Sequence, residues 1–133
     1  MKPQALAMSL LAVGCATTMG SAPGTSATIC LSSCDAFEET VFDVWPTFEP
    51  QSIVVYKTNY GWGARRSSAT EQAHFGVLVD ENGIVQRIDV LSSSGDPETD
   101  LENARMLAYI DWTPGQRDGV PIAGWAEFKM SQD

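Results

Sequence analysis

The chain has 133 residues, which is enough for one modest domain and a leader. Its formal net charge of −9 argues against nucleic acid or a bare anionic lipid surface as a partner, because both need clustered Lys and Arg side chains. Hydrophobic residues make up 44% of the chain, the ordinary share for a globular protein, so a folded domain is expected.

The opening sequence MKPQALAMSLLAVG, residues 1–14, has the form of an export signal. Lys2 supplies the positive charge, and residues 5–14 form an apolar core. This core is shorter than the roughly 20 apolar residues that span a bilayer. We therefore predict that residues 1–14 are a signal peptide and that the chain is exported.

Cys15 follows Leu-Ala-Val-Gly at the end of that core, and this pattern resembles the lipobox of bacterial lipoproteins. The resemblance implies cleavage before Cys15 and acylation of its thiol and new amine, with palmitate among the chains. Each buried methylene contributes about 0.8 kcal/mol, so several chains anchor a domain firmly. Ala16 follows the cysteine in place of Asp, which by the same resemblance permits sorting to the outer membrane, with the inner membrane as the alternative. In an ordinary cleaved signal Cys15 would instead be discarded.

Residues 15–34 are predicted to be a flexible tether, because residues 16–33 are rich in Ser, Thr, Ala and Gly. Cys30 and Cys34 lie within it. An oxidising compartment permits a disulfide between them if the local turn brings their Cα atoms close enough. No metal site is expected, because His74 is the single histidine and there is no second cysteine pair.

The domain is predicted to span residues 35–133, and its first part gives the weaker pattern. Phe37, Val41 and Val44 fall at helical spacing, which favours a turn or two of helix up to Trp45-Pro46. The β-branched run from Ile53 to Tyr56 is typical of a strand.

From His74 the pattern predicts a hairpin followed by a helix. Residues 74–79 alternate between apolar and other side chains, Asn82-Gly83 suits a tight turn, and residues 84–90 return as a second strand. A helix is expected next, because residues 101–108 carry an apolar stripe of helical period. Two starts for this helix are open. One is Asp96 before Pro97, and the other is a capping box formed by Thr99 and Glu102.

The last predicted element is a strand from Val120 to Met130. Its alternation places Trp125 on the face away from the helix, either as an exposed recognition residue or packed against the N-terminal segment. The fold class is therefore α+β, a small antiparallel three-stranded sheet (β-hairpin, helix, strand) with a helix on one face. The last strand is expected at an edge, where an extended peptide can pair with its backbone. The candidate peptide-binding residues are Ile122, Ala123, Gly124, Trp125, Ala126, Glu127 and Phe128.

Three segments together resemble the TonB C-terminal domain family. They are FGVLVDENGIVQRIDVLSSSG, LENARMLAYIDWTP and DGVPIAGWAEFKM, within residues 73–130. The resemblance implies a periplasmic domain whose final strand pairs with a short peptide of an outer-membrane transporter. Typical members have a spanning helix, whereas this chain has the lipobox.

We therefore expect a lipid-anchored protein-binding module linked to outer-membrane transport. The alternative is a genuine TonB-type energy transducer for transmembrane transport that retains its N-terminal membrane segment. Pairing of the edge strand with its own copy, which gives a homodimer, is a further alternative. Neither an enzyme nor a cofactor is expected, because His74 has no readable catalytic partner and Ser92 to Ser94 read as turn residues.

Overall fold

The structure is a computed structural model that describes residues 26–60 and 71–130. The described chain is α+β, with one four-stranded sheet and two two-stranded sheets. Its elements are β1 (Thr28–Cys30), β2 (Thr47–Phe48), α1 (Pro50–Tyr60), β3 (Ala73–Val79), β4 (Val85–Ser92), α2 (Pro97–Tyr109), β5 (Trp112–Thr113), β6 (Gly115–Arg117), β7 (Val120–Ile122) and β8 (Gly124–Met130).

The β3–β4 hairpin forms where the sequence predicts it. Asp80 organises the turn, because its Oδ1 accepts hydrogen bonds from the backbone amides of Asn82 at 2.8 Å and Ile84 at 2.9 Å. Gly83 completes the reversal at φ 83°, a left-handed conformation that favours glycine. Side chains that alternate along β3 then divide the sheet into two faces.

The main sheet has the strand order β1-β4-β3-β8, with β3 antiparallel to both of its neighbours. It differs from the predicted three-stranded antiparallel sheet by a fourth strand, β1, which runs parallel to β4. The composition of residues 15–34 predicts that residues 28–30 belong to a flexible tether. They instead form a strand because Ile29 is fully buried beside Ile88, and Cys30 is fully buried opposite Asp89.

Helix α2 covers one face of the sheet. Asp96 is its N-cap and Pro97 its first residue, so the Thr99–Glu102 start is not used. The Asp96 carboxylate accepts a hydrogen bond from the Glu98 amide at 3.3 Å and another from the Thr99 hydroxyl at 2.7 Å. The apolar stripe of α2 then packs on the sheet in a core that includes Phe75, Val77, Ile88, Ala104, Met106 and Leu107.

The strand predicted at Ile53–Tyr56 is wrong, because these residues lie in helix α1. The Ser52 hydroxyl donates to the Glu49 carbonyl at 2.5 Å, at the start of the helix. Tyr56 is buried, with its ring centroid 5.2 Å from that of Tyr109 on α2. Packing against α2 therefore outweighs the β preference of the Ile-Val-Val run.

Residues 31–46 are here named the cover segment, and Phe37 within it packs against Gly76 and Trp125 on the face opposite α2. The helical turns predicted between Cys34 and Val44 are absent, and Val44 instead forms a bridge with Gln116. Glycines admit the aromatic rings of the segment. A Cβ at Gly76 would lie 2.6 Å from Phe37 Cδ1. The helical spacing of the segment therefore does not reflect a helix, because its rings pack into hollows that glycines leave in the sheet.

The predicted final strand, Val120 to Met130, is two strands in the structure. β7 pairs with β6 around a turn at Gly119, where φ is 77°. Ile122 pairs with Gly115 in that small hairpin, and Ala123 lies between β7 and β8. Neither residue belongs to the edge strand, because the chain changes sheets at this point.

Candidate peptide-binding edge

Strand β8 lies at an edge of the main sheet, where β3 is its one strand neighbour among the described residues. Ala126 and Phe128 contribute to the core on the α2 side. Side chains alternate along a strand, so Trp125, Glu127 and Lys129 point to the opposite face. This arrangement agrees with the two faces that the sequence predicts for residues 124–130.

The direction of the β8 amides follows from one hydrogen bond. The backbone amide of Trp125 donates to Oγ1 of Thr40 in the cover segment at 2.9 Å, so it points away from β3. Backbone amides alternate in direction along an edge strand, so those of Glu127 and Lys129 also point outward. Those of Ala126 and Phe128 point toward β3. The outward amides, rather than that of Ala126, are the donors that an added strand would use.

The first residues of β8 are closed to a partner. Thr40 takes the outward amide of Trp125, and the Cβ of an alanine at Gly124 would lie 2.6 Å from Cζ of Phe42. The cover segment therefore ends the open edge at Trp125. Among the predicted edge residues, Glu127 is the one whose outward amide lies in the part of β8 that stays open to a partner. This open part continues through Lys129.

Trp125 is packed and not presented at the surface. Its exposed fraction is 7%, and its ring centroid lies 5.4 Å from that of Phe37 in an edge-on contact. Of the two roles left open by the sequence, the structure places Trp125 against the N-terminal segment. Its ring holds the cover segment beside the edge strand.

A groove of about 320 Å³ lies between the cover segment and the start of β8. Val41 is 65% exposed and Trp45 is 54% exposed, although both are apolar. The rings of Trp45 and Phe42 are 5.3 Å apart. This site is not predicted from the sequence, in which Trp45-Pro46 indicates only the end of a helix. The groove is lined by Glu39, Thr40, Val41, Phe42, Trp45, Trp125 and Glu127.

Two acidic residues line the groove. Glu39 is exposed, and Glu127 accepts a 2.9 Å contact from Nε2 of His74 on the neighbouring strand. An apolar groove flanked by carboxylates favours a segment that carries an apolar side chain next to a basic one. His74, which the sequence left without a partner, thus lies at this edge and helps to position Glu127.

The two candidate disulfide cysteines lie elsewhere, at the other end of the cover segment. The structure pairs Cys30 with Cys34, and their Cα atoms are 5.9 Å apart. The bond fixes the start of the cover segment to strand β1. Cys15, the predicted lipidation site, lies outside the described residues.

Comparisons of this chain with family models, with curated proteins and with solved structures found no match. Across residues 26–60 and 71–130, neither helix has the length and apolar character to cross a bilayer.

Proposed function

We propose that this protein is a peptide-binding module of the TonB C-terminal type. It takes an extended segment of a partner protein, from an outer-membrane receptor, as a new strand beside β8. It does so in the periplasm, held to a membrane by an acylated Cys15. The observation that carries the proposal is the open β8 edge, with the outward amides of Glu127 and Lys129 beside an apolar groove.

The order of elements supports this function. A hairpin, a helix and a last strand follow one another in the order that the family resemblance implies, and the last strand pairs with the first strand of the hairpin. That order leaves β8 with one side of its backbone unpaired by any described strand. An added strand satisfies such donors and acceptors through main-chain hydrogen bonds, so binding needs no catalytic group.

The groove supplies specificity to this interaction. Cross-strand neighbours project to the same face of a sheet, so the peptide residue opposite Glu127 projects to the face of Trp125. That face carries the groove with Trp45. We expect the peptide to place an apolar side chain there and a Lys or Arg near Glu39.

Hydrogen exchange of the backbone amides tests the proposed edge directly. The probe is a set of synthetic peptides that tile the periplasmic N-terminal segments of outer-membrane receptors, and the tightest binder is carried forward. In the free protein the amides of Glu127 and Lys129 should exchange fast, whereas those of Ala126 and Phe128 should exchange slowly. Saturating peptide should slow exchange at Glu127 and Lys129 at least about tenfold, because these amides then donate to the peptide.

Two substitutions at Glu127 distinguish the contribution of its backbone amide to peptide binding from that of its side chain. Glu127→Pro removes an outward amide, which an edge strand tolerates, and should abolish peptide binding while the domain stays folded. Glu127→Ala is the matched control and should retain most of the affinity. Ala126→Pro instead removes an inward amide and should destabilise the fold itself.

Binding by Glu127→Pro at the wild-type affinity would contradict the assignment of this edge. Protection of Glu127 and Lys129 in the free protein at micromolar concentration, together with a dimer in light scattering, would instead identify a second copy of the chain as the occupant.

A further inference from the structure

A buried carboxylate lies against the disulfide. Asp89 on β4 is fully buried and pairs in register with Cys30 on β1. Its Oδ1 accepts a 2.6 Å hydrogen bond from Nε of Arg87, and its Oδ2 has no partner among the described residues. The two Sγ atoms and a carboxylate oxygen of Asp89 all lie within 4.8 Å of one another. A buried polar oxygen without a hydrogen-bond partner costs free energy, so Oδ2 is available to a ligand at this position.

Electrostatics indicate which ligand fits. With the disulfide reduced and both thiols ionised, Cys30, Cys34 and Asp89 carry three negative charges, and the neighbouring Arg87 carries one positive charge. A divalent cation brings the cluster to neutrality. Two thiolates and one carboxylate are a donor set that zinc accepts, and a separation of four residues between the cysteines fits the spacing of zinc ligands.

We propose that Cys30, Cys34 and Asp89 form a redox-gated site for a thiophilic divalent cation of the zinc type, closed as the disulfide and open after reduction. The sequence argues against a metal because its single histidine, His74, is distant along the chain and there is no second cysteine pair. Strand pairing between β1 and β4 supplies that ligand from a distant part of the chain.

The gating step needs a dithiol as reductant. Its thiolate attacks Sγ of Cys34, which is half-buried, whereas Cys30 is fully buried. The disulfide bond breaks, Cys30 leaves as a thiolate that takes a proton, and the second sulfur of the dithiol then displaces Cys34. The pair gains two electrons and two protons, and the dithiol becomes a disulfide. Cation binding then releases the two thiol protons.

The backbone already allows the bound geometry. A tetrahedral ion with bonds of about 2.3 Å to sulfur holds two sulfurs roughly 3.8 Å apart. A Cα separation of 5.9 Å between Cys30 and Cys34 permits this distance through side-chain rotation. Asp89 needs to approach by only about 1 Å, because its oxygen starts within 4.8 Å of both sulfurs.

Zinc titration against a chromophoric chelator tests the site in the full chain with Cys15→Ser, which removes the third thiol of the sequence. The reduced chain should bind one zinc ion per molecule, and the oxidised chain should bind none. Zinc should also raise the Tm of the reduced chain, because it binds the folded state. Cobalt should give the charge-transfer absorption of thiolate ligands.

Asp89→Asn keeps the size of the side chain and removes its charge. It should weaken zinc binding to the reduced chain at least about tenfold. Asp35→Asn is the matched control, because Asp35 is an exposed carboxylate next to Cys34 and should leave the affinity unchanged. If Asp89→Asn does not fold, the site is tested by comparing the reduced wild-type chain with Cys34→Ser. The Cys34→Ser chain should lose the bound zinc. Equal zinc binding by the reduced and oxidised chains, or by Asp89→Asn and Asp35→Asn, would overturn the proposal.

Discussion

Thr40 and Trp125 are 85 residues apart in the sequence, yet the Thr40 hydroxyl accepts a 2.9 Å hydrogen bond from the Trp125 backbone amide. This single contact does two things. It fixes the cover segment to the edge of the sheet, and it stops any partner strand from extending past Trp125. The free part of the edge is short as a result.

Replacement of Thr40 by Val tests this closure, because it keeps the shape of the side chain and removes the acceptor. The Trp125 amide then loses its partner in a part-buried position. We expect the free energy of unfolding to fall by about 1–3 kcal/mol in a denaturant titration. Thr113→Val, at an exposed position on β5, is the control and should change it by less than about 0.5 kcal/mol. Equal losses in the two variants would show that the hydroxyl does not hold the segment.

Trp45→Ala should separate binding from stability. The Trp45 ring is 54% exposed in the groove, so its removal should cost the fold little. Peptide affinity should fall about tenfold or more, because aromatic side chains in such positions dominate interfaces. Fluorescence anisotropy with a labelled peptide measures the loss. Val54→Ala on α1 is also exposed, at 56%, and should leave the affinity as it is. An undiminished affinity in Trp45→Ala would remove the groove from the binding site.

Reduction of the disulfide should weaken the domain by a modest amount. A bond that closes so short a loop, between Cys30 and Cys34, contributes about 2 kcal/mol by restricting the unfolded chain. Unfolding titrations with and without a dithiol measure the difference. The Cys30→Ser/Cys34→Ser chain is the control, and the dithiol should not change its stability. A wild-type chain that is equally stable in both conditions would mean that the cover segment is held by its other contacts alone.

The Ser93-Ser94-Gly95 turn is built around Asp100 of α2. Oδ1 of Asp100 accepts from the amide of Ser94 at 3.0 Å and from its hydroxyl at 2.6 Å, and Oδ2 accepts from the Ser93 hydroxyl at 2.5 Å. Asp100→Ala should lower the free energy of unfolding by about 2–4 kcal/mol, because the Ser94 amide and the Ser93 hydroxyl then lose their acceptor. Asp111→Ala, at an exposed position, should stay within about 0.5 kcal/mol of wild type. A loss for Asp100→Ala as small as that of the control would contradict this role.

Local patterns predicted the part of the fold that local forces determine. The Asn82-Gly83 turn, the cap at Asp96 (one of the two helix starts that the sequence left open) and the alternation along residues 124–130 each depend on neighbours within a few residues. The position of β8 at the sheet edge followed from the order of these elements, as did the two faces of that strand.

The rest depends on contacts that the sequence does not display. Phe37, Val41 and Val44 are spaced as in a helix, but they do not lie in one. Phe37 instead packs on Gly76 and Trp125, which are far along the chain. The Ile-Val-Val run of α1 was interpreted as a strand, although packing of Tyr56 against α2 decides its conformation. The groove and the Asp89 cluster likewise arise only when separate segments meet.

Strands β1 and β8 form the two opposite edges of the main sheet. The membrane tether would enter through β1, and the partner peptide would join at β8. Mechanical tension between an anchored tether and a moving partner would then be shared by two paths, one through the ladders from β1 through β4 and β3 to β8, and one through the cover segment, which continues from β1 and is bonded to β8 at Thr40. The force at which the partner peptide dissociates would therefore depend on the cover segment as well as on the hydrogen-bonded strand ladders.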